Sequence, residues 1–597
     1  MIFFHFYFSQ ILRFIRTIFA FFEFFFYNSN NKYNVFSLIC YNTYMSKATK
    51  TFKIIPLGGF EEFGKNCLFI ETTNDILIID CGLKFSSVTN YGIDFTINDF
   101  SYLIQKASKK ISLLITHGHL DHIGGIPFLL QQLSVPIFCT AFTAKLIFDI
   151  CSQYAISPNI TLIEPLKLFQ LGDFFCTPVY VNHSIIDSVA FHIKIYNKHL
   201  VFSGDYKIDS KPLFESSIDL KTFKTLGKQG VFMLFGDSTN AASNGNSLSE
   251  SNIIENIQNI FIQANGRIII TTFASQINRV KLILQIAVIL KKKVVLLGRS
   301  LVKNIEYSQE LDVIEKNTDI FIPFSSIKNY EDNKLIIITT GTQGEEAAGI
   351  TKLANKTHPK ISIKDTDTIL FSSSVIPGNE QLVHSVINKL KKTKVSVYTN
   401  NDLSIHATGH AQKEEIKYFL SLLKPKYYLP VHGDISMMIA NKNIAIRNNI
   451  PPNQCMLLEN GSILEVKENS VYISQKLNLS DVLIENKKNN YLTNNVISER
   501  KLLSAHGVCT IHIVHLSGHM KNISILDYGI SEVKSMEPVK KNIINYINNH
   551  INNKTAGHNN NQKISCEKLV KEITKTTKKI ILSSLGKTPH IQVVIDL

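Results

Sequence analysis

Ile115-Thr116-His117-Gly118-His119-Leu120-Asp121-His122-Ile123-Gly124-Gly125 places three histidines and an aspartate within six residues, directly behind the apolar, β-branched run 111–116. A strand ending there presents the cluster on a loop at the edge of a sheet. His117 and His119, two apart, can point the same way, while Asp121 and His122 can turn toward a second point. Imidazole nitrogens with a carboxylate oxygen, and no thiolate nearby, are the ligand mix of a catalytic zinc-type site rather than a structural one. The alternative is a surface loop that is rich in histidine by chance. The rest of the chain weighs against it by supplying further ligands.

Outward from the cluster, short apolar strands alternate with turns at residues 53–57, 67–70 and 76–80. Residues 198–205 read as a strand running to an acid, and residues 427–432 as a strand running to a histidine. Polar residues at the ends of buried strands describe a rigid scaffold that presents ligands at one rim. Between these strands, helical patterns at 250–264 and 278–291 alternate with strands at 267–272, 293–298 and 334–340, the signature of a parallel α/β domain. It reads as an insertion, because the candidate ligand His432 lies beyond it. Residues 441–494 read as a polar connector with edge strands. A final unit follows, with strands near 508–514 and 591–595, helices at 539–551 and 566–577, and an Asn/Gly-rich linker at 552–562. The expected division is an extension at 1–44, a first domain at 50–240 completed by 396–480, an insertion at 241–395, a linker at 481–500 and a C-terminal domain at 501–597.

Five histidines and two aspartates form the expected centre. His117, His119 and His183 would hold one metal, and Asp121, His122 and His432 a second, with Asp205 bridging them. Taken alone, His183 reads equally well as a surface histidine. Two cations roughly 3.5–4 Å apart clamp the attacking and leaving oxygens of an in-line displacement at phosphorus. Asp80, at a strand end, is expected to orient a ligand histidine.

The pattern His117-x-His119-x-Asp121-His122 with His183, Asp205 and His432 resembles the metallo-β-lactamase superfamily. The insertion, with His406-Ala407-Thr408-Gly409-His410-Ala411 and Pro430-Val431-His432-Gly433, resembles its β-CASP branch. Five further segments bring the similarity to ribonuclease J: residues 58–66 (GGFEEFGKN), 237–240 (DSTN), 272–275 (TFAS), 340–345 (TGTQGE) and 374–380 (SVIPGNE). The likeness runs from about Lys53 to the C-terminus. It implies an α/β fold: a metallo-β-lactamase αββα sandwich with an inserted β-CASP α/β domain and a small α+β C-terminal domain.

The activity implied is a zinc-dependent ribonuclease of RNA maturation and decay, trimming RNA 5′→3′ and also cutting internally, and leaving 5′-phosphates. It would hold two Zn²⁺, with Mn²⁺ an alternative. His406, Ala407, Thr408, Gly409 and His410 would belong to a substrate-phosphate pocket, with Ser372, Ser373, Ser374 and Ser275 as hydroxyl donors. Gly409 would let backbone approach the phosphate. His410 would stabilise charge on the phosphate or protonate the leaving 3′-oxygen, beside Asp121 and Asp205 as catalytic residues. Gly236 and Thr408 stand where the family usually has serine. Some relatives carry a calcium near the positions of Gly92, Asp94 and Glu485, the last usually an aspartate, and the longer carboxylate weakens such a site. Dimer or tetramer contacts through the C-terminal domain are also implied, as are partners in RNA degradation or at the ribosome.

Composition sets wider limits. The 597 residues suffice for about three domains, and 45% hydrophobic content is that of a folded chain, not a disordered one. A net charge of +15 suits a polyanion such as RNA, although enrichment in Lys, Asn and Ile without Trp also follows from an AT-rich genome. Nine scattered cysteines, odd in number and without a CxxC pair, argue against a disulfide framework and for a reducing, cytoplasmic setting. Residues 1–44 are rich in Phe, but the run 17–27 is shorter than a spanning helix needs and carries Glu23. No stable membrane insertion is expected. Met45 is the preferred start, with a signal anchor or organelle presequence as the alternative. Two other activities fit parts of the pattern: a carboxylic- or thioester hydrolase using the same metals, and a non-catalytic RNA-binding relative. The insertion and the basic charge disfavour the first, and the seven filled ligand positions disfavour the second.

Overall fold

The computed structural model describes residues 51–85, 91–316, 319–376, 378–468, 470–485, 490–516, 519–556 and 566–596. The extension at 1–44 and most of the expected linker at 552–562 lie outside these residues. Two sheets face each other at the centre. The first has eight strands, in the order Val471–Lys476, Ser462–Val466, Phe52–Gly58, Cys67–Glu71, Asp75–Ile79, Lys110–Leu114, Ile137–Cys139 and Ile160–Leu162. The second has six: Phe169–Leu171, Phe174–Tyr180, Val189–Ile195, Lys198–Phe202, Met233–Asp237 and Tyr427–Val431.

Strand periodicity explains the layers. In the apolar run at 76–79, Leu77 and Ile79 enter the core between the sheets, while Ile76 and Ile78 enter a core under the helices Ser101–Gln105, Ile126–Leu130 and Ala141–Ser152. On the second sheet Met233 and Phe235 point to the shared core, and Leu234 points outward to the helices Leu220–Gln229, Lys413–Leu423 and Ile435–Arg447. The result is a helix–sheet–sheet–helix sandwich, the expected αββα arrangement.

The chain leaves the second sheet after Asp237 and returns at Tyr427, pairing in parallel beside the strand it left. The excursion contains a five-stranded parallel sheet in the order Lys293–Leu297, Leu335–Thr339, Ile268–Thr271, Thr368–Phe371 and Ser396–Tyr398. Its last strand pairs with Thr368–Phe371, so the inserted sheet runs slightly past the expected boundary at 395. Phe142, Ile185 and Ile186 of the sandwich pack into the core of the insertion.

Two segments differ from expectation. Residues 441–447 are helical, as the end of Ile435–Arg447, which Asp434 caps by accepting from the Met437 N–H. Residues 482–485, expected in a linker, form a strand on Phe95–Ile97, followed by the helix Asn494–His506. Alternating Val482 and Ile484 bury against the first domain, which polar composition alone concealed. The C-terminal unit is a three-stranded sheet, His519–Tyr528, Val508–Leu516 and His590–Asp596, backed by the helices Val533–Ala556 and Cys566–Leu585.

Candidate metal centre

The ligand residues gather where parallel strands end. Asp75–Ile79 and Lys110–Leu114 run side by side, so Asp80 and Thr116 emerge together. Lys198–Phe202, Met233–Asp237 and Tyr427–Val431 are likewise parallel and deliver Asp205, Asp237 and His432 to one rim. His119 stands just before the short helix Leu120–Ile123, and its carbonyl accepts from the N–H groups of His122 and Ile123. Gly118 packs closely here, since a Cβ there would lie 2.5 Å from Leu146 Cδ1 and that side chain would have to move. Asp80 and His432 both adopt left-handed backbone (φ 60° and 56°), a conformation that costs about 1–3 kcal/mol and is tolerated where the surroundings dictate it.

His119 Nδ1 lies 3.1 Å from His117 Nε2 and 3.1 Å from His183 Nε2. His432 Nε2 lies 3.2 Å from Asp121 Oδ2, which lies 3.6 Å from His122 Nε2. One oxygen joins the two groups: Asp205 Oδ2 is 3.4–3.8 Å from Nε2 of His117, His122, His183 and His432. Ligands held about 2.0–2.1 Å from a tetrahedral ion are roughly 3.3–3.4 Å apart, so these separations fit metal coordination without rearrangement. All seven expected ligands converge.

Each histidine has one nitrogen turned inward and the other fixed by a partner. His122 Nδ1 is 2.8 Å from Asp80 Oδ2. His117 Nδ1 is 3.0 Å from Thr116 Oγ1, which donates to the same carboxylate. His432 Nδ1 is 2.7 Å from Thr239 Oγ1, which donates to Asp237 Oδ1. His183 Nδ1 is 2.7 Å from the Gly409 carbonyl, and His119 Nε2 is 3.2 Å from Ser275 Oγ. The carboxylates, the carboxylate-bound hydroxyls and the Gly409 carbonyl assign the tautomers that leave Nε2 of four rings free to bind metal, and His119 turns Nδ1 to the same place. Burial pushes His117 and His183 well below the usual imidazole range and His119 down to about 4, so all three are neutral, as ligands need to be. Burial alone would raise the Asp205 carboxyl, but His432 and His122 outweigh it and hold the group ionised.

His410 lies beside this centre, with Nδ1 2.7 Å from Asp237 Oδ2 and its ring stacked on His432. Burial would lower its pKa, yet the Asp237 carboxylate overrides that and raises it, which favours the protonated form of the ring. Asp237 and Thr239 lie in the segment DSTN at 237–240, to which the sequence alone gives no role. Their signal in the sequence is an acid and a hydroxyl at the end of an apolar strand.

The expected phosphate pocket divides. Ser275 and Ser372–Ser374 follow the ends of neighbouring strands of the inserted sheet, and Ser275 reaches the centre through His119. Ser374 is exposed, and Ser373 is buried. Ser372 is not a phosphate donor: its only proton goes to the Ile405 carbonyl at 2.6 Å, and the oxygen accepts from the buried Arg279. Arg279 also binds the Ile405 carbonyl and pairs with Glu250. Thr408 Oγ1 accepts from Asn240. Ala407 and His406 are buried, and among the described residues His406 Nδ1 has no hydrogen-bond partner. Gly409 also has a different purpose from the one expected. The space of its absent Cβ is filled by His183 and Ser184, 2.7 Å away, so glycine there admits a metal ligand, not a phosphate.

At Gly236, where serine was the family expectation, a Cβ would meet the Tyr428 hydroxyl at 2.3 Å. The calcium site does not fit this chain. Arg500 fills the place: Nη2 pairs with Glu485 Oε1 at 2.7 Å, Nη1 donates to the Tyr91 carbonyl at 2.9 Å, and a Cβ on Gly92 would lie 2.5 Å from Nη1. A guanidinium already supplies the positive charge there.

Comparison with known proteins agrees with this geometry. Residues 61–229 match the family model for the metallo-β-lactamase superfamily, residues 265–390 that for the ribonuclease J β-CASP domain, and residues 403–448 that for the Zn-dependent metallo-hydrolase RNA specificity domain. Ribonuclease J of Mycoplasma genitalium is 37% identical over 470 residues, covering 78% of this chain and 82% of that protein. Ribonuclease J of Synechocystis is 31% identical over 570 residues, covering 92% and 88%. Ribonuclease J2 of Bacillus subtilis is 33% identical over 470 residues, covering 78% and 84%. A crystal structure of a protein of unknown function from Enterococcus faecalis V583 shares the fold, with a TM-score of 0.50 at 12% identity, over 70% of this chain and all of that one.

Proposed function

The chain belongs to the ribonuclease J family and is a metal-dependent ribonuclease, and from that premise we propose that it works with two zinc ions, trimming RNA 5′→3′ and cutting it internally to leave 5′-phosphates. The observation that carries the proposal is the position of Asp205 Oδ2, within 3.4–3.8 Å of histidine nitrogens from both ligand groups. Nitrogen and carboxylate ligands without thiolate favour zinc, with Mn²⁺ the alternative occupant.

When bound, the metals supply Lewis acidity at phosphorus and a water of lowered pKa. The chain's own residues do the remainder. Asp80 and Asp237 hold the imidazoles in the tautomers that bind. Asp237 also holds His410 at Nδ1, and the other ring nitrogen serves as the donor to the leaving 3′-oxygen. RNA lies between the sandwich and the insertion, and Ser374, Ser373 and Ser275 meet its phosphates from the inserted side. Among the described residues the cysteines are unpaired and mostly buried, which supports a reducing, cytoplasmic setting. Exposed Leu526 and Tyr528 on the C-terminal sheet support a homodimer or homotetramer built there, with room for RNA-degradation or ribosome-associated partners.

Purified protein given 5′-monophosphorylated, 5′-triphosphorylated and circular RNA should trim the first and cut the last. His119→Ala or Asp205→Ala should abolish both modes. Turnover of a lactam or thioester without RNA cleavage would overturn the proposal, as would full activity in His119→Ala.

A further inference from the structure

Every metal-facing histidine has an orienting partner outside the ligand set, and the same question can be put to Asp121. It is the most solvent-accessible of the carboxylates here, with 36% side-chain exposure against 4% for Asp205. Its carboxylate oxygens approach His122 and His432, which are ligands themselves. Among the described residues one other group reaches them: Asn66 Nδ2, at 3.4 Å from Oδ2 and 3.1 Å from the Asp121 carbonyl.

Asn66 is built into its place. It is only 8% exposed, its N–H donates to the Asp121 carbonyl at 3.0 Å, and its carbonyl accepts from the Gly82 N–H at 2.9 Å. Gly59 leaves the space for its side chain, since a Cβ there would lie 2.2 Å from Asn66 Oδ1. The remainder of loop 58–66 reaches the other side of the same group. The Gly59 carbonyl accepts from the His432 N–H at 3.0 Å, and the Phe63 ring stands edge-on to the His432 ring. Asn66 Nδ2 also lies 3.1 Å from His122 Nε2. That nitrogen's lone pair goes to a bound metal, so on loading the amide's donors are left to Asp121. None of the side-chain contacts of Asn66 reaches His117, His119 or His183.

We propose that Asn66 is a positioning residue for the second metal alone, holding the Asp121 carboxylate in coordinating geometry. The inference rests on the two-metal assignment of His117, His119 and His183 against Asp121, His122 and His432.

The test is a Co²⁺ titration of the metal-stripped full chain, followed by calorimetry and by the visible d–d absorption of each equivalent. The wild type should take up two equivalents. Asn66→Ala should keep the first with unchanged affinity and absorption, and bind the second about 10–100-fold more weakly, the usual loss when an orienting partner is removed. Asn66→Leu, of similar size but without the N–H donors, should do the same, and circular dichroism identifies any variant that fails to fold. Wild-type affinity for both equivalents in either folded variant would overturn the role of Asn66. Equal weakening of both equivalents would also overturn it, by marking Asn66 as a general structural residue. A wild-type chain that binds fewer than two equivalents would instead refute the two-metal assignment.

Discussion

Two aspartates in this centre do the same job by the same means. Asp80 binds His122 directly and His117 through Thr116, while Asp237 binds His410 directly and His432 through Thr239. Each carboxylate therefore orients two imidazoles with one intervening hydroxyl. Removing the second of these groups tests whether orientation matters to the chemistry. Asp237→Ala should lower kcat for RNA cleavage by about 10²-fold or more with a smaller change in KM, because the proton on His410 loses its anchor. Single-turnover kinetics would check it, and an effect on KM alone would refute it. The ligands were legible in the sequence because histidine and aspartate at close spacing carry their chemistry in their identity. Thr239 and Ser372 were not, since a hydroxyl takes its meaning from its partner. The partner of Thr239 is 193 residues away, and the proton of Ser372 is committed to Ile405, 33 residues away. Gly409 shows the same limit, because its neighbour His183 is 226 residues distant.

Elements repeat this division between what is local and what is not. Apolar runs ending in an acid or a histidine identified the strands that carry Asp80, Asp205 and His432, because burial on both faces leaves a continuous hydrophobic signature. The helix Ile435–Arg447 was partly hidden by its asparagines. Asn441 is fully buried there, tying the Tyr428 hydroxyl to the carbonyl of Asp237. Arg500, on Asn494–His506, decides the behaviour of the connector. Millimolar Ca²⁺ or a chelator should leave the wild-type Tm unchanged in thermal unfolding. Arg500→Ala should cost about 1 kcal/mol, the scale of a half-exposed pair with one added hydrogen bond. A calcium-dependent rise in the wild type would restore the oxygen-ligand site.

A second element carries a pH effect. His192 and His199, on neighbouring antiparallel strands, stack with ring nitrogens 2.9 Å apart. Burial and mutual repulsion push His192 down to about 4, and burial lowers His199 as well. The unfolded chain therefore binds more protons than the folded one below the ordinary histidine value of about 6.5, so stability falls as pH drops from there toward 4. Denaturant midpoints at pH 7 and pH 5 should differ less in His192→Gln than in the wild type. An identical difference would show that the pair does not contribute.

At the scale of the molecule, the sandwich and the insertion meet through a shared core and a set of charged contacts. Lys145 of the sandwich pairs with Glu310 of the insertion, and Lys303 of the insertion with Asp149 of the sandwich. Exposed pairs contribute about 0.2–1 kcal/mol each and fade with salt. Lys145→Glu with Lys303→Glu should therefore lower Tm at low ionic strength, with the deficit shrinking in about 1 M salt. Adding Glu310→Lys and Asp149→Lys should restore it, and a salt-independent deficit would assign the loss to packing. The insertion itself was legible as a strand–helix alternation between two ligand-bearing strands. Its reach into the metal centre was not, because among the described residues one serine makes the hydrogen bond to a ligand. Ser275 belongs to the insertion and His119 to the ligand set, so swinging the insertion away strips a ligand of its hydrogen-bond partner. That hydrogen bond makes the insertion part of the support of the metal centre, so the two domains are joined there by a ligand's orientation as well as by packing.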